Sequence, residues 1–221
     1  GKKPLLTYVN RLIDVMGDES IGLTTAMNLF YESSRDLASD PASVVSRSTF
    51  LRDADGLAAR FQQLAGQFDL LDNETRQSVD TDIGQINSFT EQLALLNKQM
   101  SKHSSASSQP SELLDQRDRL LRELSSMISV KTRFETNGSV LVSVGDTLDQ
   151  GILVENTNAR AISVSQSKID ANKLEFVIDA YGKPETMTGI TSGKIGGVMN
   201  FRDQVLSPAF SSLNDLAEVM V

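Results

Sequence analysis

From Leu57 onward, apolar residues return in steps of four and three. Leu57, Phe61, Leu64, Phe68 and Leu71 are followed by Val79, Ile83, Ile86, Leu93, Leu96 and Met100, with Thr75 and Phe89/Thr90 as weaker members between them. This alternation is a heptad seam, the mark of a helix that buries one stripe against another helix. No proline lies between Pro41 and Pro110. The spacing therefore predicts one long helix over about 46–102, roughly 85 Å from end to end at about 1.5 Å per residue, and with it an elongated fold. Gly66 and Gly84 fall inside this helix and read as tolerated surface or close-packing positions, at about 1 kcal/mol each relative to alanine.

Before the seam, Leu5, Val9, Leu12, Ile13 and Met16 outline a short amphipathic helix that the Gly-Asp-Glu-Ser run at 17–20 is expected to break. Ile21, Leu23, Met27, Phe30 and Leu37 resume the helical period until Ser39-Asp40-Pro41 stops it, since proline disfavours helical backbone in the residue before it. After the seam, the polar loop 104–111 reverses the chain. Ser111 reads as an N-cap and Glu112 as a first-turn acid, and a return helix over 112–127 carries Leu113, Leu114, Leu120, Leu121 and Leu124. Its short connection predicts antiparallel packing on the long helix.

At Ser129 the period changes from about 3.6 to 2. Val130, Thr132 and Phe134 alternate with polar residues, Asn137-Gly138 signals a type I′ hairpin, and Val140, Val142 and Val144 alternate on the return. Residues 152–155, 161–165 and 174–180 read as further strands, and Tyr181-Gly182-Lys183-Pro184 as a turn. From Lys194 the helical period returns through Ile195, Val198, Met199, Phe201, Val205, Leu206, Leu213, Leu216, Val219 and Met220, with Pro208 expected to kink or restart the helix. The fold class is α+β: an elongated antiparallel helical bundle or coiled coil over 1–128, a small inserted antiparallel β-rich lobe over 129–190, and a helix over 191–221 that returns to the bundle.

Composition narrows the function. Apolar residues make up 39% of the chain and aromatics only 5%, with no tryptophan, which suits a core of aliphatic helix-bundle residues. The 21 basic and 29 acidic residues leave a net charge of −8. An acidic chain without a Lys/Arg run repels phosphate backbones, so no nucleic-acid partner is expected. The absence of cysteine excludes disulfides, thiolate metal sites and cysteine nucleophiles. No apolar run is long enough to span a membrane, and the first residues lack the pattern of a cleaved signal peptide. Gly1, and an end at Val221 inside an apolar-periodic segment, suggest a piece of a longer protein.

Candidate chemistry is sparse. His103, the only histidine, falls in a polar loop, with no cysteine or second histidine to complete a zinc site. No serine sits in a nucleophile elbow, and a Ser-His-Asp triad has no support. Asp115, Asp118 and Glu123, interleaved with Arg117, Arg119 and Arg122, read as a solvated face with pairs at i,i+3 and i,i+4. Asp80 and Asp82 flank the seam and read as solvated. Gly193-Lys194-Ile195-Gly196-Gly197 lacks the residue order of a phosphate loop and reads as a helix entry. No catalytic, cofactor-binding or metal-binding residue is therefore assigned, no cofactor is expected, and the chain does not read as an enzyme.

Three stretches, in order, resemble a known family. The first is Asn28-Leu29-Phe30-Tyr31, with Leu37-Ala38-Ser39-Asp40-Pro41, Ser46-Arg47-Ser48-Thr49-Phe50-Leu51 and Ala58-Ala59-Arg60-Phe61-Gln62. The second runs from Ile83-Gly84-Gln85-Ile86-Asn87-Ser88 through Gln92-Leu93 and Leu96-Asn97 into Glu112-Leu113-Leu114-Asp115-Gln116-Arg117-Asp118 and Glu123-Leu124-Ser125. The third is Ser192 to Asp203, with Leu213 and Leu216-Ala217. From about residue 20 to the end, these resemble the family of flagellar hook-associated protein 1, the first hook–filament junction protein. The Gln-Ile-Asn asparagine and the Leu-Leu-Asp-Gln-Arg-Asp run are the most specific parts.

The resemblance implies a structural subunit of the bacterial flagellum. Such a protein is exported through the flagellar type III channel without a cleaved signal peptide and lies outside the cell at the hook–filament junction. It implies contacts with the hook protein and with the second junction protein or filament subunits, self-association in a ring, and an export chaperone that binds a C-terminal segment outside this chain. The terminal assembly helices would also lie outside it. The alternatives are another axial flagellar protein, such as the second junction protein or a flagellin, and, from a different class, a ligand-binding domain built on the β lobe.

Overall fold

A computed structural model describes residues 2–169, 173–180, 182–187, 190 and 192–220. It is an α+β fold. Helix α1 (Lys2–Ser39) is followed by the long helix α2 (Val44–Met100), a 3₁₀ turn (Ala106–Ser108) and α3 (Ser111–Met127). Seven strands come next: β1 (Lys131–Phe134), β2 (Val140–Ser143), β3 (Ile152–Glu155), β4 (Asn158–Ala159), β5 (Ile162–Gln166), β6 (Leu174–Ala180) and β7 (Lys183–Met187). Helix α4 (Gly193–Phe201), a π-helical turn (Arg202–Leu206) and α5 (Ser207–Val219) complete the order. By contact density the chain divides into two units, Thr75–Asp203 with Gly1–Leu5, and Leu6–Glu74 with Gln204–Val221.

The second unit is helical. Phe30 packs on Phe50 with centroids 5.4 Å apart, the Arg60 guanidinium lies 3.6 Å from where a Gly22 side chain would begin, and Arg11 pairs with Glu74. These partners step away from the turn in both directions, as an antiparallel pair must. Helix α5 joins them through Phe210 against Phe68, centroids 6.0 Å apart, and through the Tyr31 hydroxyl, which donates to Met220 Sδ at 3.0 Å. The expected break at 17–20 does not occur, because α1 runs through it. A single interior glycine costs about 1 kcal/mol and a polar run removes no backbone donor, so neither ends a helix that tertiary packing supports. The expected apolar face is only partly buried: Leu12 and Leu23 are buried, whereas Ile13, Met16 and Ile21 are exposed.

The stop at Ser39-Asp40-Pro41 is where α1 ends. Helix α2 begins two residues before the expected start because Ser43 caps it, its Oγ accepting from the Ser46 N–H at 3.2 Å. It ends at Met100 rather than Lys102, and the Gln109 side chain takes over there, donating through Nε2 to the Met100 carbonyl at 2.7 Å. The seam is the buried stripe of α2: Leu57, Leu64, Phe68, Leu71, Thr75, Val79, Ile83, Ile86, Thr90, Leu93, Leu96 and Met100 are all buried. Gly66 and Gly84 are exposed, and a side chain there would meet open space. Ser111 is the first residue of α3, and Pro110 takes the N-cap place with φ −56°, a value its ring sets in advance.

The first unit carries two antiparallel sheets, ordered β1-β2-β3-β4 and β5-β6-β7. The β1–β2 hairpin forms where Asn137-Gly138 predicted, but not through a type I′ turn. Only Gly138 has positive φ, at +88°; its N–H donates to Glu135 O at 2.9 Å, and the Glu135 N–H donates to Ser139 O at 2.8 Å. That is a type I turn closed by a glycine bulge, which asks for positive φ once instead of twice. Strand β1, expected to bury alternate residues, is an exposed edge, with Phe134 52% accessible, while every residue of β2 is buried.

Strand β6 keeps the period-two pattern, burying Leu174, Phe176 and Ile178. In the expected turn 181–184, Tyr181 lies outside the described residues, while Lys183 and Pro184 belong to β7 and pair with Ala180 and Asp179. Proline is tolerated there because β7 is an edge strand that can lack a donor on one side. Pro208 sits in the first turn of α5, directly after the π-helical turn, so the helix is interrupted and restarted as expected.

Candidate functional site

The starts of β2 and β5, the β3–β4 turn, the loop before α3 and the start of α4 are each joined to the C-terminal half of α2 by polar contacts. The same helical stripe that buries Leu93, Leu96 and Met100 also buries Asn97, which is 2% exposed. Its Nδ2 donates to the carbonyls of Val140 at 2.8 Å and Asn156 at 2.7 Å, and its Oδ1 accepts from the Val140 N–H at 2.9 Å. Val140 opens β2, and its N–H and C=O face away from β1. The asparagine amide thus pairs with the Val140 backbone as a neighbouring strand would. Asn156, φ +53°, is the one non-glycine with positive φ among the described residues and forms the β3–β4 turn.

One strand system further on, the arrangement repeats. Asn87 Nδ2 donates to Ile162 O at 2.9 Å and Asn87 Oδ1 accepts from the Ile162 N–H at 2.9 Å. Ile162 begins β5, so each sheet is tied to α2 by one asparagine that both gives and takes. An amide is suited to this role because it carries donors and an acceptor side by side, matching a peptide group. An apolar side chain at either position would leave backbone groups without partners in a buried setting.

Three further side chains hold the same region. Gln109 Nε2 spans from Met100 O to Asn137 O at 2.7 and 2.8 Å, so it ties the end of α2 to the hairpin turn. Arg117 on α3 donates through Nη1 to Gly138 O at 2.6 Å, and its guanidinium carbon lies 4.6 Å from the Phe134 ring centroid. Lys194 on α4 pairs with Asp82 on α2 at 2.6 Å. Gly193 sits against Met127, where a Cβ would come within 2.5 Å of the backbone oxygen.

Two expectations are corrected. Asp82, expected to be solvated, is 2% exposed and paired with Lys194, because its position on α2 faces α4, a partner 112 residues away. Arg117, expected on a solvated face with i,i+3 and i,i+4 pairs, is instead largely buried. Its side chain is only 12% exposed, and its acidic partner is the adjacent Asp118 at 2.7 Å, since the hairpin turn closes over its outer end.

The amide and guanidinium groups of this joint are hydrogen-bonded to backbone atoms of the same chain. His103 is exposed in the loop after α2, and among the described residues no cluster of His, Asp and Glu could hold a metal ion. In the second unit, a groove of about 490 Å³ runs along α1 and α2, lined by Thr25, Leu29, Arg52, Asp53 and Arg60, with Arg52 and Asp53 paired at 3.0 Å. Among the described residues no helix is long and apolar enough to cross a membrane.

The asparagines were visible in the sequence only as parts of the quoted motifs, not as functional groups. One signal was available. Asn97 stands four residues after Leu93, on the buried azimuth of α2, and a polar residue on an apolar stripe calls for a specific partner.

The chain matches the family model described as the flagellar hook-associated protein FlgK helical domain over residues 9–221. It is 26% identical over 216 residues to flagellar hook-associated protein 1 of Salmonella typhimurium and 25% identical to that of Escherichia coli. The match covers 95% of this chain but only 38% of the Salmonella protein. A solved flagellar hook junction protein, FlgK of Burkholderia pseudomallei, superposes with a TM-score of 0.82 at 28% identity, covering 96% of this chain and 39% of that one. The chain therefore spans well under half the length of the relatives it matches.

Proposed function

Because the chain belongs to the family of the flagellar hook-associated protein FlgK helical domain, we propose that it is a structural segment of the hook–filament junction and works through subunit–subunit contacts rather than catalysis. The observation that carries this reading is the family match over 9–221. In this reading the helical body 1–128, the β-rich lobe 129–190 and the returning segment 191–221 serve by the lateral surfaces they offer to neighbouring subunits. The buried polar joint supports that use. It spends amide groups on fixing strands to α2 and a guanidinium on fixing the hairpin turn to α3, where a binding protein would direct them at a ligand.

The parent protein then works outside the cell, exported through the flagellar type III channel without a cleaved signal peptide. Its neighbours are the hook protein on one side and the second junction protein or filament subunits on the other, with its own copies forming a ring between them. An export chaperone binds a C-terminal segment beyond this chain. The relatives' names, hook-associated and hook junction protein, support the placement at the flagellar hook junction.

The test is complementation. A strain lacking the full-length gene should regain swimming and filament attachment when given that gene. It should shed filaments into the medium, with hooks intact, when given a version from which the residues of this segment are deleted. Normal filament retention by a secreted, stable deletion protein would refute the junction role.

A further inference from the structure

The chain contains a single Asn-Gly pair, Asn137-Gly138, at the tip of the β1–β2 hairpin. Asn137 is half-buried, and its Oδ1 accepts two hydrogen bonds, from the Ser139 N–H at 3.0 Å and from Ser139 Oγ at 2.7 Å. The first of these closes a small ring that contains both Cγ of Asn137 and the backbone nitrogen of Gly138. Both donors point at the atom on which negative charge would develop if that nitrogen attacked that carbon, which is the arrangement of an oxyanion hole. The nitrogen belongs to a glycine, which has no side chain of its own to block the attack, although Gly138 is buried against Leu114 and Ala106. The turn also requires glycine there, since φ is +88° and a Cβ would stand 3.2 Å from Leu114 Cδ2.

We propose that Asn137-Gly138 is a site of spontaneous deamidation, with Ser139 as its activating neighbour. The Gly138 nitrogen forms a bond to Asn137 Cγ and loses its proton. The bond from Cγ to Nδ2 breaks, and the amide leaves as ammonia. Water then opens the resulting five-membered imide at either carbonyl, giving aspartate or isoaspartate. The net change is one water taken up and one ammonia released, with no oxidant or cofactor. One contact opposes the first step: the Gly138 N–H donates to Glu135 O at 2.9 Å, and that bond must open before the nitrogen can turn. The reaction therefore follows opening of the turn.

The consequence falls on the joint. Isoaspartate reroutes the main chain through Cβ and Cγ of residue 137, so the carbonyl that Gln109 holds becomes a pendant carboxylate while Gly138 O, held by Arg117, is pushed along the lengthened chain. Both anchors cannot then be kept in register, so the hairpin loosens from α2 and α3.

The experiment is incubation of the folded chain in mildly alkaline buffer, followed by peptide mass spectrometry and an isoaspartate-specific assay. Asn137 should convert ahead of every other asparagine. Ser139→Ala should slow conversion by about tenfold, less than the 10²–10³ that loss of an oxyanion donor costs an enzyme, because the Ser139 N–H remains. Ser139→Thr, which keeps the hydroxyl, should restore the rate, and this separates activation from a merely altered turn. Conversion at Asn137 no faster than elsewhere, equal or faster conversion in Ser139→Ala, or no recovery in Ser139→Thr would each overturn the proposal.

Discussion

Asn97→Ala tests most directly whether α2 holds the first sheet by hydrogen bonding or only by apolar burial. The substitution deletes three hydrogen bonds of 2.7–2.9 Å and strands the N–H and C=O of Val140, a residue 1% exposed. A buried polar group without a partner costs about 1–3 kcal/mol. Asn156 is exposed, so its freed carbonyl can turn to water and adds little. Two stranded groups thus set the expected loss at about 2–6 kcal/mol. Asn97→Asp is a sharper variant. It keeps the shape and the acceptor for the Val140 N–H but points a second oxygen at two carbonyl oxygens, so it should cost at least as much as alanine.

Urea unfolding followed by circular dichroism measures the loss, and amide exchange locates it, with Val140 and the β3–β4 turn opening first. An Asn97→Ala midpoint that corresponds to a loss below about 0.5 kcal/mol, or Asn97→Asp more stable than Asn97→Ala, would refute the claim that the amide pairs with the Val140 backbone.

Four further outcomes follow from the same packing. Lys194→Ala leaves Asp82 buried without its cation and should cost about 1–3 kcal/mol in thermal or urea unfolding, less than a fully buried pair because the Lys194 side chain is 41% exposed, whereas the double change Asp82→Ala, Lys194→Ala should recover part of that loss by removing the stranded carboxylate. Ile86→Ala, at a fully buried seam position, should cost about 2–5 kcal/mol, and an unchanged melting temperature would mean the stripe is not a core. Gly84→Ala, into open space on the exposed face of α2, should stabilise by up to about 1 kcal/mol. Gly193→Ala should instead destabilise strongly, because φ is +77° and the new Cβ would lie 2.5 Å from Met127 O.

Much of the helical architecture could be read from the residues because helical and strand periods are local. A stripe repeating every three and four residues specifies which side of α2 is buried whatever covers it, and Leu57 to Met100 follow that rule almost without exception. Pro41 and Pro110 work locally too, by removing a donor and restricting the residue before them. The errors fall where local signals compete. Gly-Asp-Glu-Ser at 17–20 is a fair turn sequence in isolation, but α1 passes through it, with α2 meeting it on either side through Glu74 at Arg11 and Arg60 at Gly22. Asn137-Gly138 named the position of the hairpin and not its backbone, since the turn type depends on how β1 and β2 twist and on the anchors from Gln109 and Arg117.

The joint itself was far less legible. Asn87 meets Ile162 and Asn97 meets Val140 across 75 and 43 residues of chain, and Lys194 meets Asp82 across 112. Nothing at either end of such a pair signals the other, because a hydrogen bond leaves no period in the sequence. By itself the sequence determined an acidic, cysteine-free α+β chain, its buried helical stripe, and the strand segments that follow. Only the tertiary structure decided that two asparagines stand in for strand partners, that Asp82 is buried rather than solvated, and that β1 is an exposed edge. The physical reason is that burial stripes arise from the repeat geometry of one element, whereas the partner of a polar group is fixed only when distant elements close on one another.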